Sequence, residues 1–238
     1  MYKIIILLFF FLLCGCVEME VVSDKEQYNT VHKLRYNRAE LADERLRVAL
    51  AYIAAGKMTE AKRNLEKARQ HMPDYPPVLL GYAYFYEQVD ELDLAEQYYL
   101  KAMKLDKRYF VLNNYAVFLC KNKRFSQAQN YYQQILSDLS SVNYADVYEN
   151  MGLCFIMEGD KLQAIDAFDL AIKYDYFKKN AWYQVSKIYY DLQNYEKSLY
   201  YAQRYLKLFP LDEEILHIYE HSVSFLGVKN SDKRDSVL

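Results

Sequence analysis

Three groups of side chains in this 238-residue chain could do chemistry by their type and spacing. Cys14 and Cys16 flank a single glycine at the end of an apolar run, a pattern open to metal or redox chemistry. Zinc and thioredoxin-type pairs place two residues between the cysteines, so the one-residue gap argues against both. His217 and His221 lie in "HIYEH", which matches the inverted zinc-protease pattern H-x-x-E-H. Both imidazoles would share one helix face, but no distal ligand is suggested, so the pair reads as structural or solvated. Cys120 and Cys154 form the third group. No glycine-rich phosphate loop occurs, and no catalytic residue, metal or small-molecule substrate is expected.

The segment before Cys16 assigns that residue a different role. Lys3 supplies a positive end, and Ile4 to Leu13 is uninterrupted apolar sequence. Ten residues of helix rise only about 15 Å, half the hydrocarbon thickness of a bilayer, so the run fits a secretory leader better than a span. Leu13-Cys14-Gly15-Cys16 looks like a bacterial lipobox. That likeness implies cleavage after Gly15 and a covalent lipid on Cys16, with no other cofactor. A noncleaved membrane anchor is the competing reading. Three acyl chains exceed the two signals that stable anchoring needs. Residue 17 is Val rather than the Asp of inner-membrane retention, which favours the outer membrane, facing the periplasm.

The elements that would carry the remaining groups repeat. Ala61, Ala95, Ala128, Ala164 and Ser198 recur at steps of 34, 33, 36 and 34 residues, the tetratricopeptide period. Small side chains at these places let two antiparallel helices approach closely, and aromatics fill the wider gaps. The fold class is all-α, a tetratricopeptide-repeat (TPR) superhelix of about five repeats with a C-terminal capping helix. The divisions are a leader (1–15), a lipidated N-terminus and tether (16–40) and repeats at 41–75, 76–109, 110–144, 145–178 and 179–212. A capping helix (213–227) and a polar tail (228–238) follow. Lys107, Ser140 and Tyr176 stand where the motif closes on proline, and Lys161 takes an aromatic position. A net charge of −2 argues against a nucleic-acid partner.

Within that frame, Cys120 and Cys154 end the first helices of consecutive repeats, two positions apart in register and therefore about 200° apart around a helix. One can face forward and the other back. In an oxidising periplasm this allows a disulfide; two buried thiols at packing positions are the alternative. Asn114 and Asn150 share one register position, as ligand contacts or as ties between neighbouring helices. The groove-facing positions should be Leu46, Leu50, Ile53, Leu80, Tyr84, Asn113, Val117, Glu149 and Leu153, with Tyr183 and Lys187 farther along. A leucine-lined groove would accept an amphipathic helix or be filled by the chain's own tether.

The phrases "NNYAVFLC" (113–120) and "ENMGLC" (149–154) are more specific than the repeat pattern. They resemble the "NNYGVFLC" and "ENLGLC" segments, cysteines included, of the type IV pilus biogenesis lipoproteins called the PilF/PilW, or pilotin, family. Ala116 departs from the family's usual glycine. The resemblance covers nearly the whole mature chain and implies a non-catalytic role in secretin assembly or fibre stability, with the secretin as protein partner. Another envelope machine, for outer-membrane protein assembly or cell-wall synthesis, is the alternative.

Overall fold

The computed structural model describes the backbone of residues 24–137 and 143–227, and the side chains of that span from residue 37 onward. It is helical throughout, with no strand among the described residues. Five hairpins follow one another: α1 (Asp24–Ala54) with α2 (Met58–His71), α3 (Pro76–Gln88) with α4 (Leu92–Leu105), α5 (Tyr109–Lys121) with α6 (Phe125–Ser137), α7 (Tyr144–Glu158) with α8 (Lys161–Tyr174), and α9 (Lys179–Asp191) with α10 (Tyr195–Leu208). A lone helix, α11 (Glu213–Leu226), closes the array. The expected repeat solenoid with its capping helix is the fold observed.

The hairpins close where the small residues recur. Ala49, Ala61, Ala83, Ala95, Ala116, Ala128, Ala164 and Ser198 are fully buried. Gly152 replaces alanine in the fourth first-helix because a methyl group there would sit 2.6 Å from the Phe168 ring. Each first helix packs on the first helices before and after it, as α1 on α3, α3 on α5, α5 on α7, α7 on α9 and α9 on α11. The second helices pack on their own partner and on the next first helix, but not on one another. An inner layer that touches and an outer layer that splays give a curved stack with the first helices on its concave side.

Polar side chains then tie the first repeat to the second, the second to the third and the fourth to the fifth, across 28 to 34 residues of sequence. Tyr75 donates to Asp43 at 3.2 Å, Lys121 to Glu87 at 3.1 Å, Arg124 to Glu96 at 2.7 Å and Tyr201 to Asp169 at 2.8 Å. Where proline is missing from a closing turn, an aspartate does its work. Asp106 accepts from the Arg108 N–H at 2.9 Å, and Asp175 from the Phe177 N–H at 2.9 Å, so a side chain fixes the turn that a proline ring would otherwise restrict.

In the span expected as a tether, with an extra helix from Tyr28 onward as the alternative, the backbone is helical. Residues 24–40, expected to link a lipid to the fold, are helical and continuous with the first repeat, making α1 31 residues long. The absence of an apolar stripe spoke to burial and not to helicity. No Gly or Pro occurs between Cys16 and Gly56, and a helix nucleated by the packed part can propagate backwards at little cost. Residues 24–41 correspond to about 27 Å of helix rise. The leader, Cys14, Cys16, Ser140 and the tail lie outside the described residues.

Cys120 and Cys154 are joined in a disulfide with Cα atoms 5.4 Å apart. It links α5 to α7, the first helices of repeats three and four, and both sulfurs are buried. Residues 138–142, where the repeat period lengthens, lie between them in sequence. Closing a loop of this size restricts the unfolded chain by about 3–4 kcal/mol in the chain-entropy model. A Cys120→Ala/Cys154→Ala variant is therefore expected to lose about 3 kcal/mol in urea unfolding. An unchanged midpoint and slope would show that the bridge adds nothing to stability.

Each turn inside a hairpin uses one left-handed residue at the same place, namely Gly56, Asp90, Lys123, Gly159 and Gln193. A side chain is strained there by about 1 kcal/mol. Gln193→Gly should stabilise by about 0.5–1 kcal/mol, whereas Gly159→Ala, which meets no neighbour, should destabilise by a similar amount through the backbone alone. Paired denaturation midpoints would measure both signs.

Candidate partner groove

The concave face is built from one stripe of each first helix, and the expected lining residues divide on it into three kinds. Ile53 is core, 4% exposed and packed with Ala49, Leu65 and Phe85. One turn earlier on the same helix, Leu50 is 37% exposed. Leu46 is half-buried because it lies against the bare backbone of Gly81, in the seam between α1 and α3. Leu80, Tyr84, Val117 and Leu153 are half-buried, with one side on the core and the other open to the concavity.

Asn113 departs from the expected pattern. It is only 8% exposed, and its side-chain oxygen has no hydrogen-bond partner among the described residues. Its neighbour Asn114 is exposed and donates to the Phe110 carbonyl at 2.7 Å, one turn back on its own helix. It therefore makes no tie to a neighbouring helix, which corrects that expectation.

Charge enters the groove as neutralised pairs. Lys121 pairs with Glu87 and also lies over the Tyr84 ring, 5.9 Å from its centroid. Tyr99, on the other side of Glu87, donates its hydroxyl to the same carboxylate, and burial first and that carboxylate second push its pKa far up. Lys178, from the turn ahead of α9, reaches back to Asp146 and to Glu149, the latter at 3.1 Å. Burial alone would lower the Lys178 pKa, but its hydrogen bonds to the two carboxylates outweigh burial and raise it. Lys187 donates to Glu214 on α11 at 2.6 Å, which holds that carboxyl below its usual range. The concavity thus runs from leucines to locked ion pairs. The period of the sequence located the first helices, but not Lys178, whose partners lie 29 and 32 residues earlier.

The histidine pair packs among aromatic rings. His221 packs edge-on against Tyr190 with ring centroids 5.3 Å apart, and no cluster of three or more potential ligands occurs among the described residues. No helix among them is long and apolar enough to cross a membrane.

The groove makes a testable distinction between adjacent turns of one helix. Leu50→Glu should leave the helical signal and the unfolding midpoint within about 0.5 kcal/mol of the parent, as exposed positions do. Ile53→Asp should destabilise by more than about 3 kcal/mol by burying an unpaired charge. Equal losses in the two variants would place Leu50 in the core.

Comparison with known proteins follows this geometry. Two family profiles described as "Tetratricopeptide repeat" match residues 52–109 and 158–213. An uncharacterized protein of Haemophilus influenzae is 35% identical over 119 residues, 50% of this chain and 66% of that one. The type IV pilus assembly protein PilF of Pseudomonas aeruginosa is 28% identical over 176 residues, 72% of this chain and 67% of that one. The chain thus spans about two thirds of the curated relatives it matches. In structure it resembles P. aeruginosa PilF (TM-score 0.66, 23% identity, 84% of this chain and 89% of that one). It also resembles PilW, described as a widely conserved type IV pilus biogenesis factor (TM-score 0.65, 18% identity, 82% of this chain and 88% of that one). The chain is a tetratricopeptide-repeat protein related in sequence to PilF and in fold to PilF and PilW.

Proposed function

We propose that this chain is a non-catalytic scaffold of the bacterial envelope that assists type IV pilus biogenesis by holding a segment of the secretin on its concave face. The observation that carries this reading is the row of half-open apolar side chains on consecutive first helices: Leu50, Leu80, Val117 and Leu153. Such a row suits one apolar face of an amphipathic helix, while the ion pairs farther along exclude an uncompensated charge. Sequence relatedness to PilF directs the choice of partner towards pilus assembly. The lipid on Cys16 would hold the scaffold at the outer membrane on its periplasmic side, with α1 as a helical spacer between anchor and repeats.

Deleting the gene and assaying secretin multimers tests the reading. Loss of multimers, restored by the parent chain but not by Leu50→Glu, is the expected outcome. Intact rings together with normal surface fibres would reassign the scaffold to another envelope machine. Cys16→Ser should fold normally and leave the outer-membrane fraction; if it still sediments there, the lipid is not the anchor.

A further inference from the structure

The turns inside the hairpins lie on the edge of the stack opposite the turns between repeats. In repeats four and five and the cap, this edge carries apolar side chains that nothing among the described residues covers. Leu162, the second residue of α8, is 70% exposed, and Leu192, which caps α9, is about half exposed. The two border one open hollow of about 560 Å³, lined also by Glu158, Gly159, Asp160 and Lys161. Met157 precedes Glu158 and is half exposed. Farther along, Phe225 near the end of α11 is 66% exposed and rests one side on Tyr195, with ring centroids 4.2 Å apart.

Charge on this edge has one sign in excess. Within a turn of the helix ends stand four carboxylates, Glu158, Asp160, Asp191 and Glu196, against two amines, Lys161 and Lys197. Both amines are engaged. Lys161 lies 3.8 Å from Asp191, and Lys197 donates to the Tyr189 hydroxyl at 3.2 Å with its ammonium 4.9 Å from that ring's centroid. Glu158 and Glu196 are exposed and form no ion pair among the described residues. Asp160 accepts the Gln163 N–H at 3.0 Å and its side-chain amide at 2.7 Å, bonds that favour the ionised carboxylate. The next turn inward keeps the sign: Asp166 and Glu220 are exposed there, while Lys187 is taken by Glu214.

We propose that this edge is a second docking site, independent of the groove, for a basic amphipathic segment of a partner protein. An apolar side chain of that segment enters the hollow between Leu162 and Leu192, and its flanking lysines or arginines meet Glu158, Asp160 and Glu196. Exposed apolar side chains rimmed by polar ones mark a contact surface, and a rim of one sign selects a partner of the other and speeds its approach. The same rim argues against lipid, since an anionic leaflet repels it. An amphipathic helix supplies both chemistries at neighbouring positions of one face. In the groove, by contrast, charge is already neutralised in pairs, so the two sites ask for different segments.

The full chain is titrated into a fluorescein-labelled helical peptide built only of leucine and lysine, and the anisotropy is followed. Saturable binding that weakens as salt rises is expected. Leu162→Ser/Leu192→Ser and Glu158→Lys/Glu196→Lys should each weaken it by about tenfold. All four side chains are exposed, so an unchanged helical signal verifies folding. Leu50→Glu should bind like the parent, which separates this test from the groove. Peptides with serine for every leucine, or glutamate for every lysine, should each bind about tenfold more weakly. Equal binding of the serine peptide would mean charge attraction alone, equal binding of the glutamate peptide would mean no charge selection, and either overturns the proposal. So does an absence of binding, or binding lost in Leu50→Glu but kept in Leu162→Ser/Leu192→Ser. Binding that appears only after removal of residues 228–238, which carry Lys229, Lys233 and Arg234, gives the edge to the chain itself. A dimer that Leu162→Ser/Leu192→Ser dissociates gives it to a second copy. Both results overturn the proposal as well.

Discussion

A hairpin of two short helices presents more apolar surface than it can cover by itself. The first helices of the middle repeats are apolar on most of their surface, and their own second helices shield only one side. In α5, eight of thirteen residues are buried, a degree of burial that needs α3, α4, α6 and α7 at once. Everything larger follows from that constraint. The first helices must stand in a row, the second helices are left on the outside, and the row must end in something that covers α9 without needing cover itself. That element is α11, which buries Ile215, Ile218, Ser222 and Val223 and turns Glu213, Glu214, His217 and Glu220 to solvent.

The same constraint makes the concave face both apolar and accessible. A first helix clamped on three sides has one stripe left, and residues on that stripe border the core at every turn. Leu50 and Ile53 differ by less than a turn yet have different fates, because Ile53 packs in the cluster of Leu65 and Phe85 while Leu50 is 37% exposed. A face of this kind is exposed by architecture. Its sequence decides only what it can hold.

Much of this was readable from the chain because the repeat is a steric rule. Ala61, Ala95, Ala128, Ala164 and Ser198 mark the points of closest approach, and all five are fully buried. Periodicity also placed the two cysteines on facing helices. It could not separate Ile53 and Leu46 from Leu50, since stripe position fixes an angle and not the size of the neighbour; only Gly81 on the adjoining helix explains why Leu46 sinks into the seam. Nor could it reveal the helical nature of residues 24–40, where the sequence has no apolar stripe to mark a helix. Lys178 was invisible for a third reason. A turn residue has no register, so its reach back to Asp146 and Glu149 depends on three-dimensional placement.

The disulfide gives the groove a fixed centre. Cys120 lies one turn after Val117 on α5, and Cys154 directly follows Leu153 on α7, so the bridge fastens the two helices that supply the middle of the lining. These helices meet where the repeat period lengthens. A groove that must order itself on binding spends part of its interaction energy doing so, at about 0.5–1.5 kcal/mol for each immobilised side chain. A covalent tie made during folding moves that cost ahead of the encounter. The bridge therefore sets the spacing of Val117 and Leu153 within the folded chain, whatever it adds to global stability.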